Sequence, residues 1–129
     1  MSNLVMALAG GVGGAKLALG LSNLLKPEKL AVIVNTADDE EFHGLHVSPD
    51  LDTMMYNFAG LSNTTTGWGI KNDRFETLKM LSNYGSISWF KLGDKDLATH
   101  IKRTDLLNQG WTLSEVTNEL CQLLGIKHT

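Results

Sequence analysis

The sequence predicts an α/β fold, a Rossmann-like parallel sheet flanked by helices, and three observations carry that expectation. An apolar stretch, "LVMALA" at residues 4–9, runs into a cluster of glycines. Leucines then recur at helical spacing, at Leu17, Leu21, Leu24 and Leu25, up to the break at Pro27. "LAVIVN" at residues 30–35 is a continuous apolar run, the pattern of a strand buried on both faces. Strand, helix and strand in succession make a βαβ unit, and such units build parallel sheets through right-handed crossovers.

In "SPDLDTMMYNFAG", Ser48 suits an N-cap, Pro49 the first helical position, acids fill the first turn and Gly60 follows the end. Leu51, Met55 and Phe58 form the stripe this helix is expected to bury. A polar, threonine-rich loop over residues 62–67 leads to "GWGIKND". Asp73 and Glu76 then read as a capping pair for a helix burying Phe75, Leu78 and Leu81. Gly85 ends that helix, and "SISWFKL" at residues 86–92 is the expected third strand. Helices over residues 96–108 and 113–124 follow, the second opened by Thr112 and Glu115 as a capping box. "IKHT" after Gly125 stands where another strand would begin, so the sequence reads as a fold cut short. Residues 1–129 are thus expected to form the amino-terminal part of one larger α/β domain.

Composition narrows the function classes. With 43% hydrophobic and 19% charged residues the chain matches ordinary soluble globular proteins. A net charge of -3 gives no general attraction to nucleic acid or anionic membrane. The single cysteine, Cys121, excludes an internal disulfide framework and a cysteine-rich zinc site, and fits a reducing compartment. Neither a signal peptide nor a membrane-length apolar run is legible, which makes the cytoplasm the expected location. "DLLNQGWTLSEVTNELCQLLGI" could pass for a DNA-binding helix-turn-helix. Its second helix, however, carries Glu115 and Glu119 and no basic residue before Lys127, the wrong charge to meet phosphates.

The glycines are the first functional signal. Gly10, Gly11, Gly13 and Gly14 sit between the first strand and the first helix, followed by Lys16. The dinucleotide fingerprint G-x-G-x-x-G framed from Gly11 meets Lys16 where its third glycine belongs. A Walker A frame from Gly10 offers Ala15 for a glycine and Leu17 for the magnesium-binding hydroxyl. Neither motif is met, yet backbone N–H groups at a helix N-terminus, with a nearby lysine, suit a phosphate.

The second signal is "NTADDEEFHGLHVSPDLDT", after the second strand, where open α/β sheets place ligands. It offers Asp38, Asp39, Asp50 and Asp52, a set that suits magnesium shared with substrate phosphates. Asp50 and Asp52 also sit where acids are favoured by the helix dipole alone, and i,i+2 positions point to different sides of a helix. His43 and His46 have no third ligand at zinc spacing.

"GGVGGAKL", "VNTADD", "HGLHVSPDLDTMMY", "GWGIKND", "SWFKLGDKDLATHIKRT" and "LSEVTNELCQLLGI", in this order, resemble the 2-phospho-L-lactate transferase family of coenzyme F420 biosynthesis, over the chain's whole length. The resemblance implies a magnesium-dependent transferase. Its donor is a guanosine-diphosphate-linked lactyl or enolpyruvyl acid, its acceptor is the ribityl hydroxyl of the deazaflavin Fo, and GMP leaves. It further implies that the glycines cradle the donor phosphates with help from Lys16. Asp39 and Asp50 are implied as metal ligands, and Asp50 and Asp52 as the catalytic carboxylates that orient the hydroxyl. Asp52 and Lys91 are implied as deazaflavin contacts. Asp94, Asp96, His100 and Arg103 belong to the same motif, and a homodimer is implied by the resemblance alone. Trp68 and Trp89 could stack on a ring, though a buried or half-buried tryptophan more often belongs to a core. The competing interpretation is a non-catalytic regulator of the same superfamily that binds a nucleotide sugar on the glycine loop.

Overall fold

β1 (Val5–Ala9) and β2 (Leu30–Val34) pair in parallel, with Val5 opposite Leu30 and Ala9 opposite Val34, in a computed structural model that describes residues 3–128. Helix α1 (Gly11–Leu24) connects them through a short 3-10 turn at Pro27–Lys29. The expected βαβ unit is therefore present. One sheet face is covered: Ala15 and Ala18 of α1 and Met54 of α2 (Pro49–Phe58) pack against Ala9, Val32 and Val34. The small alanines let helix and sheet approach closely, while Leu17 and Leu24 stay exposed, so the leucine pattern marks the helix but not its buried face.

The expectation that β2 is buried on both faces is corrected. Met6, Leu8 and Ile33 are exposed, because α1 and α2 pack against only one side of the two-stranded sheet. A run of β-branched residues reports two covered faces only when helices lie on both.

Between β2 and α2 lies an antiparallel hairpin, β3 (Glu40–Phe42) with β4 (Leu45–Val47), in a stretch expected to be loop. Its two-residue turn places His43 and Gly44 at positive φ, the geometry that matches strand twist in a tight hairpin. His43 is thereby spent on the turn, and among the described residues neither it nor His46 joins a metal-ligand group.

Helices α3 (Glu76–Asn83), α4 (Asp94–Asn108) and α5 (Leu113–Leu123) complete the described elements. Met55, Leu106, Val116 and Leu120 join α2, α4 and α5 in one core, and Val47, Leu92 and Leu97 join the hairpin to α4. Thr112 and Glu115 form the expected capping box on α5. Residues 86–92 are not the third strand. They run as irregular chain with no ladder partner among the described residues, and alternation without a neighbouring strand to accept its N–H groups makes no sheet. Residues 126–128 likewise form no strand: Ile126 packs on the α2–α5 core and His128 lies edge-on to Phe58, while Thr129 lies outside the described residues. No described helix is long and apolar enough to cross a membrane.

The expected Asp73–Glu76 capping pair is replaced by an exchange. Asp73 accepts from the Lys95 and Asp96 amides and so caps α4, while Asp94 accepts from the Glu76 and Thr77 amides and caps α3. Helix α4 accordingly starts at Asp94, two residues earlier than expected, and Asp96 does not cap it. Phe75 precedes α3 and is exposed instead of buried; Leu78 is the residue the helix buries. The exchange explains Gly93: a Cβ there would lie 2.5 Å from the Asp73 carboxyl carbon. Gly93→Ala is expected to destabilise the full-length protein by about 1–3 kcal/mol through this overpacking. Asp73→Ala should cost about 0.5–2 kcal/mol as a lost cap. Denaturant midpoints check both, and an unshifted Gly93→Ala midpoint would refute the packing argument.

The Thr77 and Glu76 amides hold the Asp94 carboxyl below the usual aspartate range. A depressed folded-state value adds stability that is complete above the unfolded value of 3.8 and is lost as pH falls through the folded one. Melting temperatures taken down from roughly pH 5 should therefore fall less steeply in Asp94→Asn than in the wild type.

Candidate active site

Two helix N-termini meet at the carboxyl ends of the strands. Gly10 follows β1 as the N-cap of α1, and Gly11, Gly13 and Gly14 make the first turn of that helix instead of a separate loop. Gly11 has φ of 61°, which a Cβ would strain. Gly14 packs on Ala9, where a Cβ would come 3.0 Å from the alanine methyl, so this glycine serves the helix–strand contact. Gly10 faces α2: a Cβ there would lie 3.2 Å from Asp50 Oδ2 and 3.3 Å from Asn35 Cβ. Gly13 has open space beside it, and Lys16 is exposed on the next turn.

The carboxylates divide into two groups, as i,i+2 geometry on α2 requires. Asp50 turns to the glycine side, where Asn35 Nδ2 donates to Asp50 Oδ2 at 2.9 Å and to Asp38 Oδ2 at 3.1 Å. Asp39 Oδ2 accepts from Ser48 Oγ at 2.7 Å and lies 3.0 Å from His46 Nε2. Ser48 thus occupies the cap position of α2 but spends its hydroxyl on Asp39. Asp39 Oδ1 is buried without a partner, an orphaned hard oxygen of the kind a magnesium ion satisfies. Asp50 and Asp38 stand on the same edge, joined through Asn35, and each offers a carboxylate oxygen of the kind magnesium shares with phosphate, although the three aspartates do not converge within 4.8 Å of one another.

Asp52 turns the other way and is buried. Arg103, wholly buried on α4, grips both its oxygens, with Nη1 at 3.2 Å from Oδ2 and Nη2 closing on Oδ1. Burial pushes the Asp52 carboxyl up and the Arg103 guanidinium opposes it. Beyond this pair, His100 Nδ1 lies 3.3 Å from Arg103 Nη1, and Tyr56 donates to Asp96 Oδ1 at 2.6 Å. Burial, then the neighbouring Asp52 and Asp96 charges, push the Tyr56 phenol well above its ordinary range, so it remains a donor.

Asp52, Asp96 and His100 line a cavity of about 340 Å³ whose walls are Tyr56, Trp68, Trp89 and Phe90, with Lys91 at its side. Phe42 of the hairpin stacks on Phe90 at 4.5 Å and meets Trp89 edge-on at 5.5 Å, which fixes that wall. Lys91 lies on the irregular segment after Trp89, not at the end of a strand. Gly67, beside Trp68, sits against Val12 of α1, so the aromatic cavity adjoins the glycine turn. The structure therefore brings Asp52, Lys91, Asp96 and His100 to one cavity, and Asp38 and Asp50 together on Asn35 beside Gly10. Arg103 works from behind Asp52, and Asp94 is a helix cap. Asn35 and Tyr56 were not legible in the sequence, whereas Trp68 and Trp89, open there between ring stacking and core, line the cavity.

Asp52, Asp96 and His100 also place ligand atoms within 4.8 Å of one another. Arginine can only donate, so His100 Nδ1 accepts from Arg103 and the ring proton sits on Nε2. A protonated Nε2 cannot ligate a metal, and Asp52 is already neutralised by Arg103, so this cluster is a hydrogen-bond array and not a cation site.

A parallel βαβ unit with a glycine helix start, carboxylates on the adjoining edge and an aromatic cavity beside them define a Rossmann-like α/β protein. The particular family follows from comparison with known proteins: the model of 2-phospho-L-lactate transferase CofD matches residues 5–129, and the chain belongs to that family. It is 44% identical over 126 residues to the 2-phospho-L-lactate transferase of Methanospirillum hungatei, covering 98% of this chain and 42% of that protein. The counterpart of the same name in Methanocorpusculum labreanum is 43% identical over 123 residues, covering 95% of this chain and 40% of the relative. The phosphoenolpyruvate transferase of Streptomyces griseus is 46% identical over 118 residues, covering 91% and 37%. The chain thus spans about two fifths of the length of these relatives.

Proposed function

We propose that the protein transfers a phospholactyl or phosphoenolpyruvyl group from a guanosine-diphosphate-linked donor to the ribityl hydroxyl of the deazaflavin Fo and releases GMP. The observation that carries this reading is the adjacency of two unlike sites. A planar heteroaromatic acceptor suits the cavity walled by Trp68 and Trp89, with Asp52 and Lys91 as polar contacts. The donor diphosphate suits the α1 N-terminus at Gly10, Gly11 and Gly13, where free N–H groups and the dipole favour anions.

Phosphoryl transfer depends mostly on positioning and on neutralising charge. Asp39 and Asp50 would hold magnesium, joined by Asp38, and the metal supplies charge neutralisation to the phosphate oxygens. Asp50, beside Gly10, would orient the incoming hydroxyl. Asp52, clamped by Arg103, stays fixed on the deazaflavin side. The two donors differ only in the three-carbon group, and the names of the relatives include both kinds of transferase.

The test is GMP release by the full-length protein supplied with magnesium, Fo and each donor in turn. Release that requires Fo, with a new phosphodiester on the deazaflavin, is the expected result. Nucleotide binding without release under every combination would sink the reading and favour the regulator.

A further inference from the structure

We propose that Asn35 is a positioning residue for the cation: its amide holds Asp38 and Asp50 side by side at the carboxyl end of β2, an inference that rests on the function proposed above. Asn35 is the first residue after β2, and its N–H donates to the Ala9 carbonyl at 2.9 Å, which extends the β1–β2 ladder and fixes its backbone. The side chain is fixed as well. Oδ1 accepts from the Ala37 amide at 3.1 Å, while Nδ2 gives one proton to Asp50 Oδ2 at 2.9 Å and the other to Asp38 Oδ2 at 3.1 Å. A flipped amide would set Oδ1 against two carboxylates and Nδ2 against an N–H, so only this orientation satisfies all three contacts.

Two carboxylates drawn to one nitrogen repel each other, and the kind of donor that holds them decides what they can bind. Helix α2 shows both kinds two residues apart. Asp52 is gripped by the Arg103 guanidinium, which meets its charge. Asp50 is held by an amide, which donates but carries no charge, so its negative charge is left for a cation. A lysine or arginine at position 35 would pair with the same carboxylates and compete with the ion. Asp38 is exposed and Asp50 half-buried, so the pair is open to a ligand. Gly10 borders it closely: a Cβ there would come 3.3 Å from Asn35 Cβ and 3.2 Å from Asp50 Oδ2. The turn proposed for the donor phosphates therefore abuts the two carboxylates, and magnesium takes one or two carboxylates together with substrate phosphates.

The test measures binding of Mn²⁺, which takes the same oxygen ligands as magnesium, to the full-length protein with GDP, from the electron paramagnetic resonance signal of the free ion. Asn35→Leu removes both donors at similar size. It should weaken binding about 10- to 100-fold, the range for hydrogen bonds to a charged group, with little change in the melting temperature of the metal-free protein. Asn35→Ser keeps one donor and should fall between wild type and Asn35→Leu; it decides the matter should the leucine variant fail to fold. Asn35→Leu combined with Asp38→Asn should cost less than the product of the two separate losses, because both act through one pair of carboxylates. Wild-type affinity in both Asn35 variants, or losses that simply multiply, would overturn the positioning role and leave the transferase reading standing. If the wild type binds no Mn²⁺, the metal assignment falls and this role with it, while Fo-dependent GMP release still tests the transfer itself.

Discussion

Arg103→Met is expected to destabilise the protein by about 3–5 kcal/mol, the usual consequence of leaving one member of a buried ion pair alone. Arg103 has no exposed surface, and its guanidinium meets both oxygens of a carboxylate that is 5% exposed. Without it, Asp52 must either remain charged in a low-dielectric interior or take up a proton, and burial already pushes it toward the protonated form. The same guanidinium also supplies the bond to His100 Nδ1 and reaches the His46 carbonyl of β4 at 3.4 Å. Its loss therefore loosens α4 from both α2 and the hairpin. The informative companion is the double variant Arg103→Met with Asp52→Leu, which removes both charges and should recover much of the loss. Denaturant unfolding of the full-length proteins measures the difference. A double variant no more stable than Arg103→Met would show that the arginine acts by filling space and not by pairing.

Asp50→Asn should lower GMP release about a hundredfold or more with little change in melting temperature. Asp50 sits at the N-terminus of α2, beside Gly10 of α1, and its contact with Asn35 is on the exposed side of the edge. Asparagine keeps the shape and removes the charge. Charge stabilisation by a metal is worth several kcal/mol in a phosphoryl transfer, and each 1.4 kcal/mol is a factor of ten. The variant should also need more magnesium for half-maximal rate. Asp39→Asn is the comparison, because its Oδ1 is the buried oxygen without a partner. Wild-type turnover and magnesium response in both variants would remove these aspartates from the metal site.

Local signals were read well wherever one segment decides its own structure. The β1–α1–β2 unit follows from apolar runs broken by glycine and proline, and the Thr112–Glu115 capping box is a three-residue matter. The separation of Asp50 from Asp52 was likewise legible, since helical geometry alone sends i and i+2 apart. Misreadings arose where a partner distant in the chain decides. Residues 86–92 alternate like a strand, but no neighbouring strand takes their hydrogen bonds. Asp73 looked like the cap of the nearest helix, yet it caps α4 and leaves α3 to Asp94. The β3–β4 hairpin was hidden because its three-residue strands are too short to show a strand pattern on either side of the His43–Gly44 turn.

The sequence by itself determined the α/β class, the family resemblance through its ordered motifs, and the residue types gathered for the chemistry. Only the tertiary structure decided which of those residues work together. It set Asp52 on Arg103, Asp50 beside Gly10, and Asp96 with His100 on the wall of an aromatic cavity. The physical reason is range. Helix periodicity and capping act over a few residues, whereas burying a charge or walling a cavity requires groups some fifty residues apart in the chain, such as Asp52 and Arg103, to be brought together by the packing of α2 against α4 and the hairpin.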